Sequence, residues 1–113
     1  MSLFEREPYS VECVAGSDVA VLRGVMRLPT PAAYDALFAP ARALIESGRP
    51  STIDLTGVSF LNSSGIRALA SLVLLARDRG APLQMIADDG IPWQKKTLAS
   101  FRSISPSLRI ASR

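Results

Sequence analysis

The chain has 113 residues, 48% of them hydrophobic and 20% charged, with 13 basic and 10 acidic side chains giving a net charge of +3. That length and balance predict one soluble domain over residues 1–113, with a core from about 9 to 110, and exclude a disordered tail. The absence of histidine excludes Ser-His-Asp and Cys-His catalysis, the common zinc sites and any phosphohistidine relay within the chain. The basic excess is too small and too scattered to predict a nucleic-acid partner.

The first residues, Met1–Pro8, lack a basic segment followed by an apolar run, so no signal peptide is expected. The most apolar stretch, 66–76, is interrupted by Arg67 and falls short of the roughly 20 residues a membrane-spanning helix needs. One cysteine, Cys13, cannot form an internal disulfide. Together these predict a cytoplasmic protein without membrane insertion.

Tyr9, Val11, Cys13 and Ala15 alternate with other residues at the period of a half-buried strand, which places Cys13 on the inward face as a small core residue. Gly16-Ser17-Asp18 reads as a turn and Val19–Leu22 as a second strand, so the two form an antiparallel hairpin. Thr30 and Pro31 open a helix as cap and first residue. Its stripe is Tyr34, Leu37, Phe38, Ala41, Leu44 and Ile45, and Gly48 ends it. Pro40 removes the donor to the Ala36 carbonyl and is expected to kink or split the helix. Ser51–Leu55 is a short strand, Ser63–Gly80 a second helix, Leu83–Ala87 a strand, and Asp88-Asp89-Gly90 a turn. Pro92 starts a third helix carrying Trp93, Leu98 and Phe101, and Leu108–Ile110 is a last short strand. The order β-β-α-β-α-β-α-β predicts an α/β fold. Its mixed sheet has about five strands, a hairpin plus parallel strands, with three or four helices.

The informative segment is Ile53–Ile66, a strand, a loop and a helix start. Asn62, Ser63 and Ser64 all favour a helix N-cap, and a helix needs only one. Gly65 either lets the backbone approach another group closely or relieves crowding in the first turn. The free N–H groups and dipole of such a turn stabilise an anion, so a phosphate on a serine there is physically acceptable. On composition and position alone, a simple cap is the favoured account of the segment.

Asp54-Leu-Thr-Gly-Val-Ser-Phe-Leu-Asn-Ser-Ser-Gly-Ile66 resembles the signature of the STAS-domain anti-sigma factor antagonists of bacteria. In that signature a strand ends in Asp. A short loop, an aromatic, Leu or Met, usually Asp, then Ser, Ser or Ala, Gly and an aliphatic residue follow. The order of elements from about Tyr9 to Ile110 also resembles that family. The resemblance implies a binding protein rather than an enzyme, with no catalytic residue, cofactor or metal. It implies that Ser63, with Ser64 second, is phosphorylated by a partner anti-sigma factor that is also a serine kinase, and that a phosphatase resets it. The candidate partner-binding residues are Asn62, Ser63, Ser64, Gly65 and Arg67; the last, in the first turn beside Ser63, either pairs with a phosphate or an acidic partner or is a solvated surface arginine. The chain departs from the pattern at Asn62, where the family commonly has Asp; the cap is kept and a charge is lost.

Asp54 is expected to bond the loop backbone, the alternative being a role beside a phosphate-transfer site with magnesium. In the second helix, Ile66, Leu69, Ala70, Val73 and Ala76 make an inward stripe and Ala68, Leu72, Leu75 and Arg79 another. The second stripe is either part of a wide buried face or a surface for a partner or a homodimer. Trp93 reads as a core residue, with Lys95, Lys96 and Arg102 solvated around it. Three functions remain: a phospho-switched anti-sigma factor antagonist, a constitutive scaffold or accessory subunit of a stressosome-like or lipid-transport complex, and a hydrolase using Ser63. The last lacks both histidine and a Gly-x-Ser-x-Gly turn.

Overall fold

The computed structural model describes residues 9–113; the segment Met1–Pro8, read above for a signal peptide, lies outside them. Two strands, β1 (Tyr9–Cys13) and β2 (Val19–Met26), form the antiparallel hairpin that alternation and the Gly16 turn dictate. Helix α1 (Pro31–Glu46) leads to β3 (Ser51–Leu61), α2 (Ser63–Arg79), β4 (Leu83–Ala87), α3 (Pro92–Ile104) and β5 (Arg109–Ser112). The five strands lie in the order β1-β2-β3-β4-β5, with parallel pairing from β2 onward. The sheet is therefore mixed, as the element order predicts, and carries three helices.

Alternate strand residues point to one face and are buried: Ala20 and Leu22, Ile53 and Leu55, Leu83, Met85 and Ala87. Helix α2 packs against both α1 and α3, so the helices form a layer over this face. Thr52, Asp54 and Thr56, on the opposite face of the central strand, are only half-buried. The α2 residues Ala68, Leu69, Leu72, Val73 and Ala76 are all buried and Leu75 is half-buried, so its two apolar stripes merge into one wide core face. The helix ends at Gly80, whose φ of 64° suits a residue without a Cβ.

The structure departs from the sequence expectation in three places. Cys13 is exposed, not inward. It ends an edge strand whose cover stops at Val11, so alternation continues past the layer that would bury it. Helix α1 continues unbroken through Pro40, held by Tyr34, Phe38, Ala41 and Ile45 in the core. Strand β3 runs to Leu61, well past Leu55, absorbing the expected loop. It stays paired with β2 through two register shifts, with Arg23 opposite Gly57 and Met26 opposite Leu61. A Cβ on Gly57 would lie 3.0 Å from Arg23 Cγ, a close approach across the β2–β3 pairing.

Because β4 ends level with Leu55, the last six residues of β3 overhang it. Backbone carbonyls left there need other donors. Gln94, fully buried in the first turn of α3, donates through Nε2 to the Leu55 and Val58 carbonyls at 2.6 and 2.9 Å, and its Oε1 accepts from the Asp88 N–H at 2.8 Å. Trp93 Nε1 donates to the Val58 carbonyl at 2.9 Å. Helix α3 thus braces the overhang that carries Asn62 and Ser63.

Candidate functional site

The site is the pole where β2 and β3 end and α2 begins. Asn62 is the N-cap of α2, its Oδ1 accepting from the Gly65 N–H at 3.0 Å. The same oxygen accepts from the Tyr34 hydroxyl at 2.7 Å, and Nδ2 donates to the Leu28 carbonyl at 2.8 Å. The Tyr34 oxygen in turn accepts from the Leu28 N–H at 3.2 Å. One amide and one phenol therefore join α1, α2 and the turn between β2 and α1. Burial raises the Tyr34 pKa above 10.0, opposed by the hydrogen bond from Leu28 and reinforced by Tyr9.

The sequence offered three cap-forming residues, and the fold gives each a different task. Asn62 caps. Ser64, half-buried, donates from Oγ to the Pro29 carbonyl at 3.3 Å. Ser63 is exposed, and among the described residues its hydroxyl takes part in no hydrogen bond. It occupies the first position of a 17-residue helix, where outward N–H groups and the dipole favour negative charge. Arg67, one turn further along α2, is exposed and forms no ion pair among the described residues.

Gly65 is buried, and a Cβ there would clash with the Leu61 side chain and lie 2.8 Å from Tyr34 Cζ. Its close approach is to its own chain. Asn62 and Gly65, grouped by sequence with the partner-binding residues, therefore turn inward and shape the pole, while Ser63 and Arg67 face outward. Asp54 accepts from the Thr56 N–H and hydroxyl at 2.9 and 2.7 Å, the backbone-bonding role expected of it.

Solved structures share this fold. A chain from the crystal structure of the diguanylate cyclase SiaD in complex with its activator SiaC, from Pseudomonas aeruginosa, is similar to this one with a TM-score of 0.65 and 18% sequence identity. The similarity covers 91% of this chain and 90% of that one, so it extends over the whole β-β-α-β-α-β-α-β order. No protein-family model and no curated protein match the sequence.

Two features of the pole escaped sequence reasoning. The sequence carries no signal for Gln94, since nothing short of knowing where β4 stops reveals that its amide has two carbonyls to satisfy. Tyr34 was assigned to the apolar stripe, where its ring indeed lies, 5.3 Å from Phe38 between centroids. A buried tyrosine needs a partner for its hydroxyl, and that need was the available signal. Among the described residues no helix is long and apolar enough to cross a membrane, and no three His, Cys, Asp or Glu side chains cluster as metal ligands would.

Proposed function

We propose that this chain is a regulatory binding module of the anti-sigma factor antagonist type, cytoplasmic and not an enzyme, switched by phosphorylation of Ser63. The observation that carries this reading is the uncommitted, exposed Ser63 hydroxyl beside two neighbours whose polar groups are already used. A hydroxyl that caps its own helix is poorly available to a kinase; this one has no partner among the described residues. Ser64, engaged with Pro29, is the second acceptor. The partner is an anti-sigma factor that is also a serine kinase, and a phosphatase reverses the modification.

The switch works through charge. A phosphate adds ~1.5 to 2 negative charges at a helix N-terminus that tolerates them, so the module itself stays folded. The penalty falls on the complex. An unpaired dianion in a close interface costs several kcal/mol, on the order of a 100- to 1000-fold loss of affinity. The serine is a substrate here, and the kinase supplies nucleotide and metal.

A second reading takes this chain as a constitutive accessory subunit that binds its target without modification, as in stressosome-like or lipid-transport assemblies; a similar chain from a structure of an enzyme in complex with its activator supports protein binding in either reading. Incubation with the proposed partner kinase and ATP, with mapping by mass spectrometry, separates the two. Modification at Ser63 is expected. Its absence from both Ser63 and Ser64 refutes the switch, and a Ser63→Ala variant with unaltered binding and regulation supports the constitutive subunit.

A further inference from the structure

Among the described residues only two large apolar side chains are exposed, Val14 at 47% and Phe60 at 40%. Val14 lies just past the end of β1 at the hairpin turn, its N–H donating to the Val19 carbonyl at 2.9 Å. Phe60 is at the opposite end, one residue before β3 finishes, with Val25 opposite it across the β2 pairing. The buried residues of this tip are Met26 and Leu61, whose strands continue as far as a bond from the Asn62 N–H to the Met26 carbonyl at 3.2 Å. Alternation therefore sends the adjacent residues, Arg27 and Phe60, outward. The Arg27 guanidinium carbon stands 4.8 Å from the centre of the Phe60 ring.

The core does not require this arrangement, since Val58 and Leu61 already fill the inward positions on either side of Phe60. Arginine and aromatic side chains are the residues enriched where protein partners bind most strongly. Stacking also holds both groups in place before a partner arrives, so less side-chain freedom is lost on binding.

We infer that Arg27 and Phe60 form a docking point for a protein partner that presents an apolar side chain flanked by carboxylates. Charge complementarity fixes the partner's chemistry. Arg27 and Arg67 both face solvent at this pole, and neither forms an ion pair among the described residues. Asp88 and Asp89 follow β4, which ends level with Leu55. Neither carboxylate forms an ion pair with Arg27 or Arg67 among the described residues. This inference deepens the proposed binding role. Ser63, three residues after Phe60, becomes the switch at the edge of the patch that Phe60 anchors.

The test places the photo-cross-linking residue p-benzoylphenylalanine at Phe60, with Ser103 on α3, also exposed, as the control position. The full chain is irradiated in its own cells, and the adduct peptides are sequenced. The expected adduct joins position 60 to one partner protein, at a segment where Asp or Glu flanks an apolar residue. That partner, purified, should bind Phe60→Ser and Arg27→Glu at least tenfold more weakly than the parent, with both variants folded by circular dichroism. Adducts only between copies of this chain, adducts no stronger than at Ser103, a contacted segment without carboxylates, or two variants that bind normally would each overturn the inference. The two proposals fail separately. A position-60 adduct with Ser63 never modified keeps the docking point and removes the switch. Ser63 phosphorylation without the adduct does the reverse.

Discussion

Replacing Tyr34 with phenylalanine deletes one oxygen and leaves the ring against Phe38. The hydroxyl lost is the one that donates to Asn62 Oδ1 and accepts from the Leu28 N–H. Asn62 retains its bond from Gly65, so the larger loss is at Leu28, whose N–H is left unpaired in a partly buried position. A hydrogen bond contributes about 1 kcal/mol net, and an orphaned buried donor costs about 1–3 kcal/mol. Together these predict destabilisation by ~2 kcal/mol, a large fraction of the 5–15 kcal/mol typical of such a domain. At roughly 4 °C per kcal/mol for this length, the Tm should fall by about 8 °C. The pH dependence gives a second readout. Burial raises the folded-state pKa of Tyr34 above 10.0, so the unfolded chain ionises first. The stability contributed is present below pH 10 and is lost as pH rises from there through the raised value. Urea titrations at pH 8 and above pH 10 should show a steeper alkaline loss in the parent than in Tyr34→Phe. A variant within 0.5 kcal/mol of the parent at pH 8 would refute the view that this hydroxyl joins the two helices and the turn.

Ser63→Ala should change stability by less than ~0.5 kcal/mol, because its hydroxyl has no partner among the described residues; a loss above 1 kcal/mol in denaturant titration would mean the serine is structural. Gly65→Ala should cost roughly 2–3 kcal/mol, since the added carbon overlaps Leu61 and crowds Tyr34, and a neutral result would contradict the close packing of α2 on α1. Gln94→Ala should destabilise by ~3 kcal/mol, by removing the side-chain partners of the Leu55 carbonyl and the Asp88 N–H, while Val58 keeps its bond from Trp93. Trp93 fluorescence should shift with it, and an unchanged spectrum and midpoint would dispose of the bracing role. Cys13 is exposed, so a thiol reagent should label one site under native conditions; labelling seen only after unfolding would restore the inward placement.

The element order was legible because its signals are local. Thr30 does accept from the Ala33 N–H at 3.2 Å, Pro31 does open α1, and Gly80 does close α2. What misled were signals whose meaning depends on neighbouring elements. Gly57 and Ser59 read as loop, yet they sit in β3 because β2 remains alongside and twists with it through two register shifts. Cys13 followed the alternation of Tyr9 and Val11, which says nothing about where a covering layer ends. The cluster 62–65 was recognisable as special, but its division of labour was not. Distinguishing the cap, the backbone-bound serine and the free serine requires knowing that Leu28, Pro29 and Tyr34 arrive beside it from about 30 residues away.

The amide at position 62 also sets the electrical balance of the pole. An aspartate in its place would turn a carboxylate oxygen toward the Leu28 carbonyl, where Nδ2 now donates, so the neutral side chain is the matched one. Among the described residues, Arg27 and Arg67 supply two unpaired positive charges to this pole. A phosphate of ~1.5 to 2 negative charges would then cancel that field rather than add to an existing negative one. Attraction of an acidic partner over distance, and the sensitivity of its association rate to ionic strength, would disappear together in a single chemical step.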